Sequence, residues 1–429
     1  YEIAQCLVGS EMCIRDRRIL WFSVTPSLYN DQHNQHNGGG WIESLERIVK
    51  KHEEIQLGIA FCTGNDKEPF KTEREGTVYY PMKVHRSFLQ RQKDRFSSKE
   101  LDDVILKKCL NVIEDFNPDA IHVFGSEWCF GLVKEYTDIP VVIHMQGCWP
   151  PYRNAGFPPG FSMMEKRMRM FFHPKKLINS FLSEHLSKER ALREEHILRI
   201  NDSYMGRTRW DKALTFLYNN QSHYYYCSEA LRLPIVLETK KWNPSSTSKL
   251  TIVTIGAGHI LKGYDMVLKT ARILKENTNC PFEWILCGPT ISNMQVYEQK
   301  TEIRCKDVCV EPLGRCSADE IKDNLLKSSL YVHPSYIDNS PNSVCEAQFL
   351  GLPIIATNVG GVPSLFSKSY PQDMLVPTND PYYLAAKIIE VASDKKLQMS
   401  MSEMNRKIAE KRHSDENIYN CLLYTSPSP

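Results

Sequence analysis

The sequence predicts an α/β protein of two doubly wound domains. Three observations carry this. Short apolar runs, of the kind buried parallel strands need, alternate with amphipathic helical stretches along the chain. The 429 residues, 42% of them hydrophobic, suffice for two domains of about 150–200 residues each with full cores. Residues 233–249 hold Pro234, Pro244 and a Ser/Thr run and read as the linker between them.

In the first half, strands are expected at 19–24, 57–61, 78–80, 120–124, 140–144 and 224–227. Helices are expected at 41–51, with Ile42, Leu45, Ile48 and Val49 inward, and at 101–116. The turn Gly38-Gly39-Gly40 precedes the first helix. Such a turn lets a ligand approach the backbone closely, and a plain flexible loop fits it equally. His144 ends a strand, on the side where parallel sheets bind ligands. A hydrogen-bonded structural histidine is the alternative. Residues 150–200 interrupt the pattern as a helical insertion. Within it Met163 to Lys176 reads MMEKRMRMFFHPKK, five bases interleaved with four Met and two Phe. That composition suits an interfacial segment on an anionic membrane, or a solvated hairpin in which Met fills the packing.

The second half opens with a strand at 250–255 and the turn GAGHILKG. Leu261 replaces the third glycine of a dinucleotide fingerprint. Helices are expected at 265–275, 318–327, 382–391 and 397–412, and strands at 284–286 and 308–310. The clearest unit is Ser329 to Pro363, SLYVHPSYIDNSPNSVCEAQFLGLPIIATNVGGVP. Strand 330–332 leads through a loop to Ser340-Pro341, an N-cap with proline at the first helical position. Gly351 closes the helix and 353–357 returns as a strand. The free amides of Asn342, Ser343 and Val344 would suit a phosphate. Asp338 and Glu346 bracket that helix end as hydroxyl acceptors.

These residues resemble the acidic E-x7-E motif of retaining glycosyltransferases of family 4, bacterial type, with Asp338 at the first glutamate and Glu346 at the second. HPS before the motif, EA-x-x-x-G-x-P within it and ATNVGG after it also match. The resemblance implies the GT-B fold, two facing Rossmann-like domains with an interdomain cleft. It implies transfer of a sugar from a nucleotide-sugar donor to a carbohydrate or lipid-linked hydroxyl acceptor, in surface polysaccharide or glycolipid assembly. A nucleotide-sugar epimerase and a non-catalytic sugar-nucleotide-binding subunit share the fold and stand as alternatives. By resemblance Asp338, His144 and Lys262 are catalytic. Glu346, Asn339, Asn342, Ser343, Val344, Gly263, Gly39 and Gly40 bind the donor. Lys262-Gly263 matches the family's lysine-glycine. The arginine usual shortly before it is absent, and His259 or a basic residue of the first domain stands as its substitute. The expected domains are 18–232, 250–398 and a final helix, 399–420, returning to the first.

Net charge is +2, which gives no reason to expect nucleic-acid binding. No run approaches 18 apolar residues, so no transmembrane helix is expected. Fourteen scattered cysteines form no C-x-x-C and no zinc set, and suit a reducing cytoplasm. There is no D-x-D. No metal and no cofactor are expected, the nucleotide-sugar being a substrate. Residues 1–17 and 421–429 contain CLVGSEMCIRDR and CLLYTSPSP. Back-translated, these words are reverse complements over most of their length and resemble a sequencing adapter. They are expected to be non-native and are set aside from the fold.

Overall fold

A computed structural model describes residues 17–29, 40–65, 67–168, 170–244 and 249–422. The first sheet comprises β1 (Arg17–Ser23), β2 (Ile55–Thr63), β3 (Thr72–Arg74), β4 (Thr77–Lys83), β5 (Ala120–Phe124), β6 (Val141–His144), β7 (Ser203–Gly206) and β8 (His223–Tyr226). Its order is β3-β4-β2-β1-β5-β6-β7-β8, parallel except for the β3–β4 edge pair. The helices of this half are α1 (Gly40–Val49), α2 (Phe88–Lys93), α3 (Lys99–Phe116), α4 (Trp149–Ala155), α5 (Met163–Met168), α6 (Pro174–Ile200), α7 (Arg209–Tyr218) and α8 (Leu233–Val236).

Strand alternation splits the first core into two layers. Leu20 and Phe22 face α3 residues Cys109, Val112 and Phe116. Trp21, Leu57 and Ile59 face α1 residues Trp41, Ile42 and Leu45.

The second sheet comprises β9 (Leu250–Ile255), β10 (Phe282–Cys287), β11 (Val310–Gly314), β12 (Leu330–His333), β13 (Ile354–Thr357) and β14 (Leu375–Val376). Its order, β11-β10-β9-β12-β13-β14, is that of a doubly wound nucleotide-binding sheet. The order reverses between β9 and β12, and ligands bind beyond the strand ends at such a reversal. Its helices are α9 (Tyr264–Asn277), α10 (Ile291–Thr301), α11 (Ala318–Lys327), α12 (Asn342–Leu350) and α13 (Pro381–Ser393). Two more follow, α14 (Lys395–Arg412) and α15 (Asp415–Leu422).

Helix α14 packs on α12: Asn405 donates to the Leu352 carbonyl at 2.7 Å. Helix α15 then crosses to the first domain, where Ile418, Tyr419 and Leu422 join the layer of Trp21 and Ile59. The interdomain segment is pinned rather than loose. Trp242 is buried, its amide donates to the Leu350 carbonyl and its indole donates to the Ser328 carbonyl.

Several sequence expectations shift. Helix α12 starts at Asn342 with Pro341 as its N-cap and no side-chain cap, because Ser340 turns instead to Glu229 at 3.4 Å. The strand expected at 308–310 runs from Val310 to Gly314, since Cys305–Val308 forms a 3-10 turn. Strand β7 and helices α7 and α10 were not expected.

Candidate active site in the interdomain cleft

Both sides of the sheet reversal in the second domain supply site residues. The β9 loop ends in a 3-10 turn, Ile260–Lys262, and Gly263 with φ +74°. A Cβ at Gly263 would lie 2.0 Å from the Pro334 carbonyl oxygen, so only glycine lets the two loops touch. The contact is reinforced by the Tyr336 amide donating to the Leu261 carbonyl at 2.8 Å. From the other side, Gly360 at φ +50° would place a Cβ 2.1 Å from the Asp338 carbonyl oxygen. Residues 334–338 are thus clamped between two glycine turns.

The clamp brings Lys262 to Asp338. The ammonium donates to Oδ2 at 2.6 Å, His333 Nε2 lies 3.1 Å from it and Ser335 donates at 3.3 Å. Oδ1 takes the Asn339 amide at 3.2 Å and, from the first domain, the Tyr152 hydroxyl at 3.4 Å. Burial alone would raise the carboxyl pKa; the Lys262 ammonium and His333 override it and hold Asp338 well below the usual carboxylate range. A relay runs inward from it: His333 Nδ1 lies 3.3 Å from the Tyr331 hydroxyl, which donates to Ser343 at 2.8 Å. Sequence reasoning noted HPS only as a flanking match and missed His333 as the support of Asp338. In this arrangement five donors surround a carboxylate with about four acceptor positions. The longest contact, from Tyr152, occupies the place a sugar hydroxyl would need.

Glu346, 1% exposed, accepts a bidentate bond from Arg232, Nε at 2.5 Å and the terminal nitrogen at 2.6 Å. Burial disfavours the Arg232 cation, and Glu346 outweighs it, so the guanidinium pKa is raised. Both oxygens of the expected ribose acceptor are therefore already engaged by Arg232. Arg232 carried no signal, since it sits beside a linker with no motif. Gly40 lies against Arg232: a Cβ there would meet its side chain at 3.3 Å. Gly39 lies outside the described residues.

The other expected donor-binding residues divide. The first-turn amides of Asn342 and Ser343 have no partner within the helix. The Val344 amide is not available, because it donates to the Pro341 carbonyl at 2.9 Å and its side chain fills the core. Asn339 is an interdomain latch. It accepts from Thr208 at 2.6 Å and donates to the Gln146 carbonyl at 3.1 Å and to Asp211 at 3.3 Å. Residues 206–212, GRTRWDK, explain that latch. Thr208 and Asp211 form a reciprocal capping box on α7, which fixes the threonine that Asn339 meets.

His144 is not on the open cleft. It is fully buried, with Nδ1 3.1 Å from His122 Nε2 and the Trp41 ring 5.3 Å away. Burial first, then His122 and Arg207, push its pKa well below the ordinary value and keep it neutral. Its Nε2 finds no partner among the described residues. The structural-histidine alternative describes these contacts, and the sugar-facing role does not.

Two residues are candidates for the role of the missing arginine, His259 and Arg207. His259 turns inward to its own loop, accepting from the Leu261 amide at 3.3 Å, and burial lowers its pKa, so it brings no charge. Arg207 reaches the start of α12, 3.4 Å from Asn342 Oδ1, with its guanidinium 4.8 Å from the Trp41 ring centre and its Nε without an acceptor. Across the cleft stand two acids, the half-buried Glu127 and the buried Glu194. Glu127 accepts the Gly147 amide at 2.7 Å and is raised by burial. Glu194 accepts from Ser126 and the Trp149 amide; burial and then Glu127 push it up to about 8. Glu127 lines a pocket of about 410 Å³ with Trp128, Gln146 and Tyr152. Sequence reasoning noted only that strand β5 ends at Gly125-Ser126-Glu127.

One group of described residues, Glu229, Cys345 and His413, brings possible metal ligand atoms within 4.8 Å of one another. Arg207 already lies 3.6 Å from that carboxylate, so a guanidinium meets its charge. No helix of the described residues is long and apolar enough to cross a membrane.

Comparison with known proteins agrees with this fold. A sucrose-phosphate synthase from Thermosynechococcus elongatus superposes with a TM-score of 0.70 at 14% identity, covering 96% of this chain and 100% of that one. Anabaena HepE in complex with UDP and glucose gives 0.59 at 14% identity, over 95% and 98%. In sequence, 134 residues are 31% identical to the gpi3 subunit of phosphatidylinositol N-acetylglucosaminyltransferase from Schizosaccharomyces pombe, 30% of this chain and 29% of that protein. A 75-residue stretch is 40% identical to the putative teichuronic acid biosynthesis glycosyltransferase TuaC of Bacillus subtilis, 18% and 19% of the two chains. The amylovoran biosynthesis glycosyltransferase AmsK of Erwinia amylovora is 28% identical over 139 residues, 30% and 33%. The matched stretches thus span a third or less of these relatives. The chain has the GT-B fold, and residues 237–408, which carry Lys262, Asp338 and Glu346, match the family model of the group 1 glycosyl transferases.

Proposed function

We propose that the protein is a retaining glycosyltransferase that moves a sugar from a nucleotide-sugar donor to an acceptor hydroxyl. The observation that carries this is the Lys262–Asp338 pair, clamped at the sheet reversal beside the start of α12. The donor diphosphate would lie on the amides of Asn342 and Ser343 with Lys262 alongside, where donors meet the charge that builds as it leaves. Arg207 supplies the second cation. Glu346, held by Arg232, takes the ribose through its remaining lone pairs. Asp338 receives a sugar hydroxyl when Tyr152 yields. The bond from the anomeric carbon to the diphosphate breaks, and the bond to the acceptor oxygen forms on the same face. The acceptor proton passes to the departing phosphate oxygen. No protein nucleophile and no metal are assigned.

Two relatives are named for teichuronic acid and amylovoran biosynthesis, which supports a place in surface polysaccharide or glycolipid assembly. A cytoplasmic location, with attachment to the inner face of the plasma membrane, follows from the same reading. A thermal-shift screen of nucleoside diphosphates and nucleotide-sugars tests donor binding. A ligand at about a hundred times its Kd adds about 2.7 kcal/mol of stability. Proton NMR of the product then reads the anomeric configuration. An inverted product would overturn retention, conversion of the donor alone to an epimer would assign an isomerase, and binding without turnover on any acceptor would assign a non-catalytic subunit.

A further inference from the structure

The helical insertion carries two surfaces that sugar transfer to a free saccharide leaves unused. One is a cavity of about 1290 Å³ between the insertion and the Lys262 turn. Its charged lining is Arg95, Arg153, Lys166, Arg190 and Lys262 against a single acid, Glu184, and Glu184 is already paired with Arg167. The space beside the site therefore has an excess of positive charge and calls for an anion.

The other surface is the outer side of the same two helices. Met164, Met168, Phe171, Phe172, Ile178 and Phe181 are 52–87% exposed. None of the α5 residues is buried. Met164, Met168, Phe171 and Phe172 thus do not serve as packing filler for the first domain, whereas Met163 and Met170 are half-buried. Phe171 and Phe172 stack edge to face in solvent, 5.5 Å apart, with Lys175 and Lys176 exposed beside them. Large apolar groups rimmed by bases fit the boundary of an anionic bilayer. Helical geometry ties the two surfaces together: Met163 and Lys166 face the cavity, while Met164 and Met168 face out.

We infer that the acceptor is a membrane lipid whose headgroup carries a terminal phosphate or a diphosphate. The face from Met164 to Phe181 docks on the bilayer, and the headgroup enters the basic cavity, which leads to Lys262. This rests on the transferase reading for the site it reaches, but its test does not.

The test uses the full chain and sedimentation with three vesicle types: phosphatidylcholine alone, and phosphatidylcholine mixed with phosphatidylglycerol or with phosphatidic acid at matched surface charge. Both anionic types are expected to bind the protein and phosphatidylcholine alone is not, with binding that falls as salt rises. Phosphatidic acid, whose phosphate is terminal, is expected to bind more tightly than phosphatidylglycerol. The double variant Phe171→Ser, Phe172→Ser should lose at least about tenfold in vesicle affinity, the loss expected for one buried phenylalanine, with nucleoside-diphosphate binding unchanged. The double variant Arg153→Gln, Arg190→Gln should still bind phosphatidylglycerol vesicles and lose the preference for phosphatidic acid. Equal, negligible binding to all three vesicle types, or undiminished binding by the phenylalanine variant, would overturn the docking. Equal affinity for both anionic lipids in the unaltered protein would overturn the headgroup assignment. Failure of nucleoside-diphosphate binding would strike the transferase reading and leave these outcomes standing.

Discussion

Lys262 stands between stability and chemistry. Its ammonium holds a buried carboxylate ionised. Lys262→Ala removes the ammonium and leaves Asp338 with His333, Ser335, the Asn339 amide and Tyr152, and the carboxyl pKa must rise. Asp338 stabilises the fold above its unfolded value near 3.9 and loses that contribution as pH falls through its depressed folded value. The variant should therefore be less stable at pH 7 by up to about 3 kcal/mol and should begin acid unfolding at higher pH, read by circular dichroism. In turnover it should lower kcat more than it raises KM, since the charge on the leaving diphosphate is greatest as it departs. An unchanged kcat with raised KM would confine Lys262 to docking the donor. Glu346→Gln keeps shape and removes charge. Because Arg232 is bidentate to that carboxylate, the change should cost donor affinity about tenfold or more, the worth of a charge-assisted bond, and should also lower Tm. Unchanged donor affinity by calorimetry would remove Glu346 from the ribose site.

At the scale of elements, the site depends on turns more than on helices. Gly263→Ala sets a Cβ against the Pro334 carbonyl and demands a left-handed backbone. It should destabilise by at least about 2 kcal/mol and separate the loops that carry Lys262 and Asp338, so activity should fall more than in any exposed control. Helix α6 carries a pH signature. Glu194, near its C-terminal end, is pushed up to about 8 from an ordinary 4.5. Between those values the folded protein keeps a proton that the unfolded chain has shed, so stability falls as pH rises from about 4.5 to about 8. Glu194→Gln should flatten that decline in Tm across the window; an identical pH profile would show that Glu194 is ionised in the fold. The elements themselves were largely legible. Strands 120–124 and 250–255 and helix 318–327 coincide with β5, β9 and α11, because apolar periodicity and caps such as Ser317–Glu320 are local. Helix α7 was missed although its Thr208–Asp211 capping box is local; its exposed Phe216 and Leu217 blur the apolar stripe.

For the whole molecule, the returning helix α15 sets how the domains are joined. Ile418 is 1% exposed among first-domain side chains, while the preceding α14 belongs to the second domain. Ile418→Ala should cost about 2–4 kcal/mol, and it should loosen the first domain while leaving residues 250–376 protected in hydrogen exchange. Uniform loss of protection would show that the two domains unfold as one unit.

The sequence by itself determined two doubly wound domains, the turn that delivers Lys262, and the acidic motif that delivers Asp338 and Glu346. Those features are written in neighbouring residues: strand periodicity, glycine turns and a loop-to-helix junction. Tertiary structure alone decided what each charge meets. Lys262 meets Asp338 across 76 positions, Arg232 meets Glu346 across 114 and Thr208 meets Asn339 across 131. It also decided that His144 is interior and that Met164, Met168, Phe171 and Phe172 of the insertion face outward. The reason is physical. Backbone preferences act over a few residues, whereas ion pairing and burial depend on which distant surfaces the packed sheets bring into contact.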